Sequence, residues 1–239
     1  MSLSYAGVSS DSVNVRVERY PNRPIPSRRM ELTQIAGRSG DLLFDERAYN
    51  NVTQTYEIYI RETSADTFQE SCVKAAEWLL IPVGYQVLTD SYDPDTYRMG
   101  VFFDTDDVQN ALNQFGRASI NFSCKPFRYY TSGASAIAIT TTTTLTNPSN
   151  VYAEPTIVVY GSGAGSIGIG SYTVAISNID DGMTIDCAAM DCYNGANNRN
   201  NLITLSPTYQ YPRLNAGTTT ITISGGITSL SLTPNWRTL

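Results

Sequence analysis

The side chains that could do chemistry are limited first by a missing residue type, because the 239 residues contain no histidine. Every Ser-His-Asp or Cys-His relay, every imidazole metal ligand and every H-E-x-x-H zinc site is thereby excluded. Ser71 and Lys74 match S-x-x-K, in which a lysine one helical turn away activates a serine, but no S-D-N or K-T-G accompanies them and both fall on an amphipathic helix. Gly163 to Gly168 (GAGSIG) satisfies G-x-G-x-x-G, yet alternating Ile167, Ile169 and Tyr172 follow where a phosphate-binding helix should open, so the glycines read as a turn. No Gly-Lys pair exists, which removes a Walker A loop. Asp104, Asp106 and Asp107, with Asp93 and Asp95, offer oxygen ligands of the kind calcium prefers. The EF-hand pattern fails, with Gln109 at its glycine position and Phe115 at its glutamate position, so a solvated turn is expected. Cys187 and Cys192 are five apart, outside zinc-knuckle spacing, with no further ligands near. Paired carboxylates are the catalytic route that survives without histidine, since glycoside hydrolysis needs only two of them. Nothing in the sequence selects a pair, and sixteen tyrosines and two tryptophans, Trp236 among them, suit a core or an interface as well as sugar stacking. The expectation is a protein that is not an enzyme and has no metal or cofactor.

Sixteen basic against twenty-two acidic side chains give a net charge of -6, the wrong sign for gripping a phosphate backbone. The same sign suits a surface past which nucleic acid slides without sticking. Met1 to Gly7 has no signal-peptide pattern, and the longest apolar run, Ala75 to Val83, is broken by Glu77 and Pro82, so neither a leader nor a membrane span is expected. In a reducing cytosol Cys72, Cys124, Cys187 and Cys192 are expected as free thiols.

Charge divides the chain: 30 of the first 130 residues are charged, against 8 of the last 109. Two domains are expected, 1–133 and 134–239. In the first, Val13, Val15 and Val17, then Tyr56, Ile58 and Ile60, alternate with polar residues as half-buried strands. Pro21, Pro24 and Pro26 keep the intervening chain extended, and Gly37 to Asp41 (GRSGD) reads as the turn of a hairpin arm. One helix is predicted over Ser64 to Leu80, its stripe formed by Phe68, Cys72, Ala75, Ala76, Leu79 and Leu80, with Thr67 and Glu70 as a capping box and Pro82 as its stop. Asp93-Pro94-Asp95 is a turn between strands at Tyr85–Leu88 and Thr96–Phe103, and Ile120 to Lys125 is a closing strand. The second domain reads as short strands at Thr156–Tyr160, Ser166–Ile169, Tyr172–Ile176, Met183–Cys187, Thr219–Ile223 and Thr228–Leu232. Asp181-Gly182 is expected as a tight hairpin, and Gly161, Gly163, Gly165, Gly195, Gly217 and Gly225-Gly226 as other bends. This spacing is that of a β-sandwich or barrel.

The order of these words resembles the distal tail protein family of long-tailed bacteriophages and prophages. In the first domain the resemblance rests on the GRSGD turn, Tyr56 to Arg61 (YEIYIR), the single helix, and Ile120 to Tyr130 (INFSCKPFRYY). In the second it rests on Asn147-Pro148 before Glu154-Pro155, Gly161-Ser162-Gly163, Thr184-Ile185-Asp186, Tyr211 to Leu214, Ala216-Gly217, Ile221 to Gly225 and the closing Pro234 to Leu239. The fold it implies is mainly β: an N-terminal tail-tube-like barrel or sandwich with one helix, then a galectin-like β-sandwich. The function it implies is structural. Six copies form a ring at the tail tip, joining the tail tube protein to a tail-associated hub or lysin protein, and supporting receptor-binding proteins and contacts to the tape measure. DNA passes through the channel without specific binding, and no membrane is involved. The implied place is the virion tail tip, after assembly in the host bacterial cytoplasm. Sugar-binding galectins rely on a histidine that this chain lacks, so the sandwich alone does not imply a lectin. The other readings kept open are a carbohydrate- or receptor-binding module of a tail tip and, further off, a carboxylate-pair glycosidase. For subunit contacts the expectation falls on the arm from Arg28 to Tyr59, with Arg28, Arg29, Arg38, Asp41, Glu57 and Tyr59, since interfaces favour arginine and tyrosine.

Overall fold

A computed structural model describes residues 1–105, 109–111, 115–180 and 182–239, with backbone alone at 105 and 109–111. Asp106 and Asp107 of the acidic run, and Asp181 of the expected hairpin, lie outside the described residues. The chain packs as two compact units, residues 1–128 with Leu239 and residues 129–238.

Alternation of apolar and polar side chains builds the first unit. Its strands are β1 (Leu3–Tyr5), β2 (Val8–Ser9), β3 (Val15–Val17), β4 (Arg28–Thr33), β5 (Leu42–Tyr49), β6 (Val52–Arg61), β7 (Gln86–Asp90), β8 (Thr96–Thr105), β9 (Gln109–Ala111) and β10 (Phe115–Tyr130), with helix α1 (Phe68–Leu80) between β6 and β7. One sheet runs β2-β1-β7-β8-β10-β6-β3, with β9 on β10, while β4 and β5 form a separate two-stranded ribbon. Along β6 every second residue is buried, from Val52 to Ile60, and the residues between face outward. Phe122 centres the core, with the rings of Tyr5, Tyr56 and Phe102 at 5.0, 6.0 and 5.9 Å. Edge-on pairs at such spacings add attraction beyond area burial.

Helix α1 begins at Phe68 rather than Ser64 because Thr67 is its cap: the Glu70 amide donates to the Thr67 hydroxyl, and the Thr67 amide donates to the Glu70 carboxylate at 2.8 Å. Both donors would otherwise be orphaned at the helix start. The buried stripe is Phe68, Ser71, Ala75, Trp78 and Leu79, so it is rotated from the expected one, and Ala76 and Leu80 face out. Trp78 turns the helix: its indole N–H donates to the Tyr5 carbonyl at 3.2 Å, which fixes the ring in the core.

The second unit contains β11 (Ile137–Ile139), β12 (Thr143–Asn147), β13 (Thr156–Ile169), β14 (Tyr172–Ile176), β15 (Met183–Asp186), β16 (Asp191–Asn194), β17 (Asn197–Asn198), β18 (Ile203–Ser206), β19 (Gly217–Thr233) and β20 (Arg237–Thr238). The four short strands expected at 156–160, 166–169, 219–223 and 228–232 are two long ones, β13 and β19, paired along their length with register shifts near Gly161 and Gly165. Their halves take different neighbours. β15 joins the first half of β13 and β14 the second; β12 joins the first half of β19 and β11 the last. The two strand arrays thus close over one core of Ile157, Val159, Ile167, Ile169, Ile185, Ile221, Leu230 and Leu232, which is a sandwich turned at a shared corner. The corner requires glycine. A Cβ on Gly226 would stand 1.8 Å from the Ser162 carbonyl oxygen, and one on Gly161 would stand 2.1 Å from that of Gly226. Gly161, Gly163, Gly165 and Gly225-Gly226 are therefore a bulge through which the strands continue, not the expected bends between separate strands, and the GAGSIG run is β13 itself and not a turn.

Gly226→Ala is expected to destabilise the second unit by about 2 kcal/mol or more, since the added methyl meets backbone that cannot yield. Gly195→Ala, where no atom lies within 4 Å of the new Cβ but φ is +58°, should cost about 1 kcal/mol from the backbone alone. Urea unfolding of the two variants measures the difference, and equal midpoints would show that the corner tolerates a side chain.

Candidate assembly interface

The ribbon β4-β5 exists because two glycines let the chain reverse between its strands: Gly37 has φ +78° and Gly40 +85°, the left-handed region that glycine enters without strain. Leu32 stands opposite Leu43, and Glu31 opposite Phe44. Apolar side chains therefore lie on both faces of a two-stranded ribbon. Every residue of Arg28–Thr33 is exposed, and Leu32, Leu43 and Phe44 keep 64%, 53% and 53% of their surface open. None of them joins either hydrophobic core. An isolated ribbon of this kind is marginal in water, and burying each large apolar side chain contributes roughly 1.5–3 kcal/mol. A second exposed apolar surface lies at the end of α1, where Leu80, Ile81 and Val83 are 69%, 70% and 87% open. Beside it is a cleft of about 320 Å³ whose lining includes Val8, Val13, Trp78 and Ile81.

Four of the expected contact residues lie on this arm. Arg28 pairs with Asp45 at 3.5 Å and stands 5.9 Å over the Tyr49 ring, and Arg29 donates to Asn50 at 3.0 Å. Arg38 and Asp41 sit exposed at the tip. The other two, Glu57 and Tyr59, are half-buried on the outward face of β6 in the main sheet, apart from the ribbon. Tyr59 lies between Arg16 on β3 and Arg117 on β10. Glu57 pairs with Arg19, Arg117 with Glu18 at 2.6 Å, and Arg16 with Asp11 at 3.1 Å. All of these pairs are exposed enough to add little stability, and their value lies in orientation. The Arg19 guanidinium is held more basic by its bond to Glu57. Reasoning from charge and tyrosine missed the apolar members, Met30, Leu32, Leu43 and Phe44; the run Leu42-Leu43-Phe44 beside a glycine turn was the signal.

The residues singled out for chemistry have structural partners. Ser71 is fully buried and accepts from Asn14 at 3.0 Å, while Lys74 pairs with Asp66 at 2.6 Å, so the S-x-x-K pair does not meet. The Lys74 and Asn14 bonds hold the Asp66 carboxyl below its usual range. Asp93 pairs with Arg128 at 3.0 Å and Arg23 at 3.6 Å. Asp186 accepts from the amides of Ala188 and Ala189, and Asp191 from that of Cys192. Trp236, a candidate for sugar stacking, is buried at 7% exposure against Gly133 and offers no open face. Among the described residues no cluster of three potential metal ligands occurs, and no helix is long and apolar enough to cross a membrane.

No family model and no curated protein matches the chain. Among solved structures, the crystal structure of SPP1 Dit, presented as a paradigm of the hub adsorption apparatus in phages infecting Gram-positive bacteria, is similar over 100% of this chain and 99% of its own, with a TM-score of 0.72 at 15% identity. The phage P2 baseplate in its activated conformation is similar with TM-scores of 0.50 in the presence of Sr, at 9% identity over 97% of this chain and 96% of the other, and 0.49 in the presence of Ca, at 10% identity over 92% and 90%. The chain has the fold of SPP1 Dit, mainly β with a single helix, as the sequence resemblance implied.

All four cysteines are free thiols; Cys124, Cys187 and Cys192 are buried, and Cys72 is half-buried. Burial pushes the Cys124 thiol up to about 12 and that of Cys192 to about 11, and raises Cys187 further. A raised thiol holds its proton at neutral pH and is a poor nucleophile. At pH 8 a thiol reagent should therefore modify Cys72 alone in the native protein and all four residues after unfolding. Cys72→Ser should abolish native labelling, and rapid native reaction of a second thiol would contradict the burial.

Proposed function

We propose that the protein is a structural subunit of a bacteriophage tail tip, a distal tail protein of the baseplate and hub adsorption apparatus. The carrying observation is the β4-β5 arm, an element with apolar residues on both faces and no core within its own chain. The full-length likeness to SPP1 Dit supports the same reading. In this reading the arm of one copy covers the apolar face at the end of α1 in the next. A contact between two different surfaces propagates head to tail and closes into a ring when its rotation divides the circle. Six copies then surround a channel, joined to the tail tube protein on one side and to the tail-associated hub on the other, with receptor-binding proteins attached. The net charge of -6 suits a conduit that DNA crosses without sticking. The protein acts by assembly and is not an enzyme, and its place is the virion tail.

Native mass measurement and negative-stain imaging test this. The purified protein should form a six-fold ring at micromolar concentration. Leu32→Ser with Phe44→Ser should give monomers that still unfold cooperatively, because neither side chain belongs to the core, with a thermal midpoint that no longer rises with protein concentration. Ile81→Ser should weaken the ring from the other side. A wild type that stays monomeric at high concentration, or an arm variant that rings normally, would refute the proposal.

A further inference from the structure

The first unit holds a buried guanidinium that pairs with no carboxylate among the described residues. Arg98, on β8, is 8% exposed; its Nη2 donates to the Pro24 carbonyl at a long 3.5 Å, and its Nη1 has no partner. It lines a cavity of about 80 Å³ together with Tyr92 and Arg128, whose hydroxyl and Nε are also buried without partners. The nearby carboxylates are committed elsewhere. Asp90 accepts from the Tyr56 hydroxyl and from the amides of Tyr92 and Asp93, and Asp93 pairs with Arg128 and Arg23. Arg23 is largely exposed, and Arg128 Nη2 also donates to the Leu239 oxygen at 3.2 Å, so the charge left unpaired at the cavity among the described residues is that of Arg98. A buried charge without a counterion costs several kcal/mol, and a buried polar atom left unpaired costs more than an ordinary hydrogen bond returns.

We propose that this cavity binds a small oxyanion, phosphate or a carboxylate, accepting hydrogen bonds from Arg98 Nη1, Arg128 Nε and the Tyr92 hydroxyl. One water needs roughly 10–15 Å³ of such space, so 80 Å³ admits a small anion and excludes a nucleotide or a sugar chain. Residues 20–24, within the strap at 18–27, form one wall of the site. The Tyr20 ring packs on Tyr92 at 4.3 Å, the Asn22 carbonyl accepts from Gln54 at 2.8 Å, and Pro24 meets Arg98. This strap leads directly into β4, so the anion sits under the root of the arm and fixes where the arm departs.

Thermal unfolding with phosphate and, separately, acetate tests the proposal, with sodium chloride at matched ionic strength as reference. One of the two should raise the midpoint of the wild type saturably, on the order of 5–10 °C at a hundredfold excess over the dissociation constant, and the responding probe identifies the anion class. Arg98→Met should abolish the saturable response, which separates site binding from the general stabilisation that phosphate gives any fold. Tyr92→Phe keeps the charge and removes one donor, so it should weaken the apparent affinity severalfold; if Arg98→Met does not fold, that comparison decides alone. No saturable response, or an equal one in every variant that folds, would leave only water in the cavity and overturn the site. The residues belong to one chain, so the test runs on a monomeric arm variant, and its failure leaves the ring reading untouched.

Discussion

An apolar side chain on a two-stranded ribbon has no second layer of its own to cover it, and the arm from Arg28 to Tyr49 is built under that constraint. A ribbon has two faces and no second layer, so Leu32 and Leu43 on one side and Phe44 on the other stay wet unless another surface arrives. The rest of the first unit supplies a rigid base: a sheet packed around Phe122, a helix pinned by Trp78, and a capping box that fixes where the helix begins. Arg28, Arg29 and Asp45 of the arm and Glu57 of β6 already have partners within the chain. In the proposed assembly they would set direction and discourage wrong contacts, while the energy of association would come from the apolar members between them.

The second unit depends on a different constraint, the distance of closest approach between two backbones. β13 and β19 continue through a corner at which Gly161, Gly225 and Gly226 approach the facing backbone so closely that no Cβ fits on them. Each strand then serves both halves of the sandwich, and the core of isoleucine, valine and leucine is enclosed by two long strands rather than four short ones. Few charges decorate this unit because few are needed: most outward positions are threonine, serine, asparagine or glycine, which hydrate a strand surface without long-range fields.

What was legible in the sequence is what is decided locally. The Thr67 and Glu70 cap, the alternation in Tyr56 to Ile60 and the Asp93-Pro94-Asp95 turn each depend on a few neighbouring residues, and each is where the pattern placed it. What failed depends on a partner distant in sequence. A glycine marks a break in side-chain packing, but whether the chain reverses or passes through is set by the opposing strand, so Gly161 and Gly225-Gly226 read equally well as turns. The helix stripe slipped by part of a turn because the Tyr5 carbonyl, seventy-three residues away, decides where Trp78 points. At the arm, charge and tyrosine drew attention to Arg28 and Tyr59, and the apolar residues that need a partner were visible only once the ribbon stood apart from the sheet.

The arm and the buried Arg98 meet in one physical argument. A ribbon that must find a second surface gains if its departure angle is fixed beforehand, since ordering it at the moment of contact subtracts from the binding free energy. Its root is the proline-rich strap at 18–27, which has no strand or helix hydrogen bonding of its own. Where that strap borders the cavity, its contacts include a tilted tyrosine pair, one glutamine amide, and the long bond from Arg98 to Pro24. The last is the weakest in geometry and the most costly in charge. An anion beneath it would lift the electrostatic cost of Arg98 without displacing either of the other two contacts, so the proposed ligand would let the same guanidinium stiffen the base of the arm.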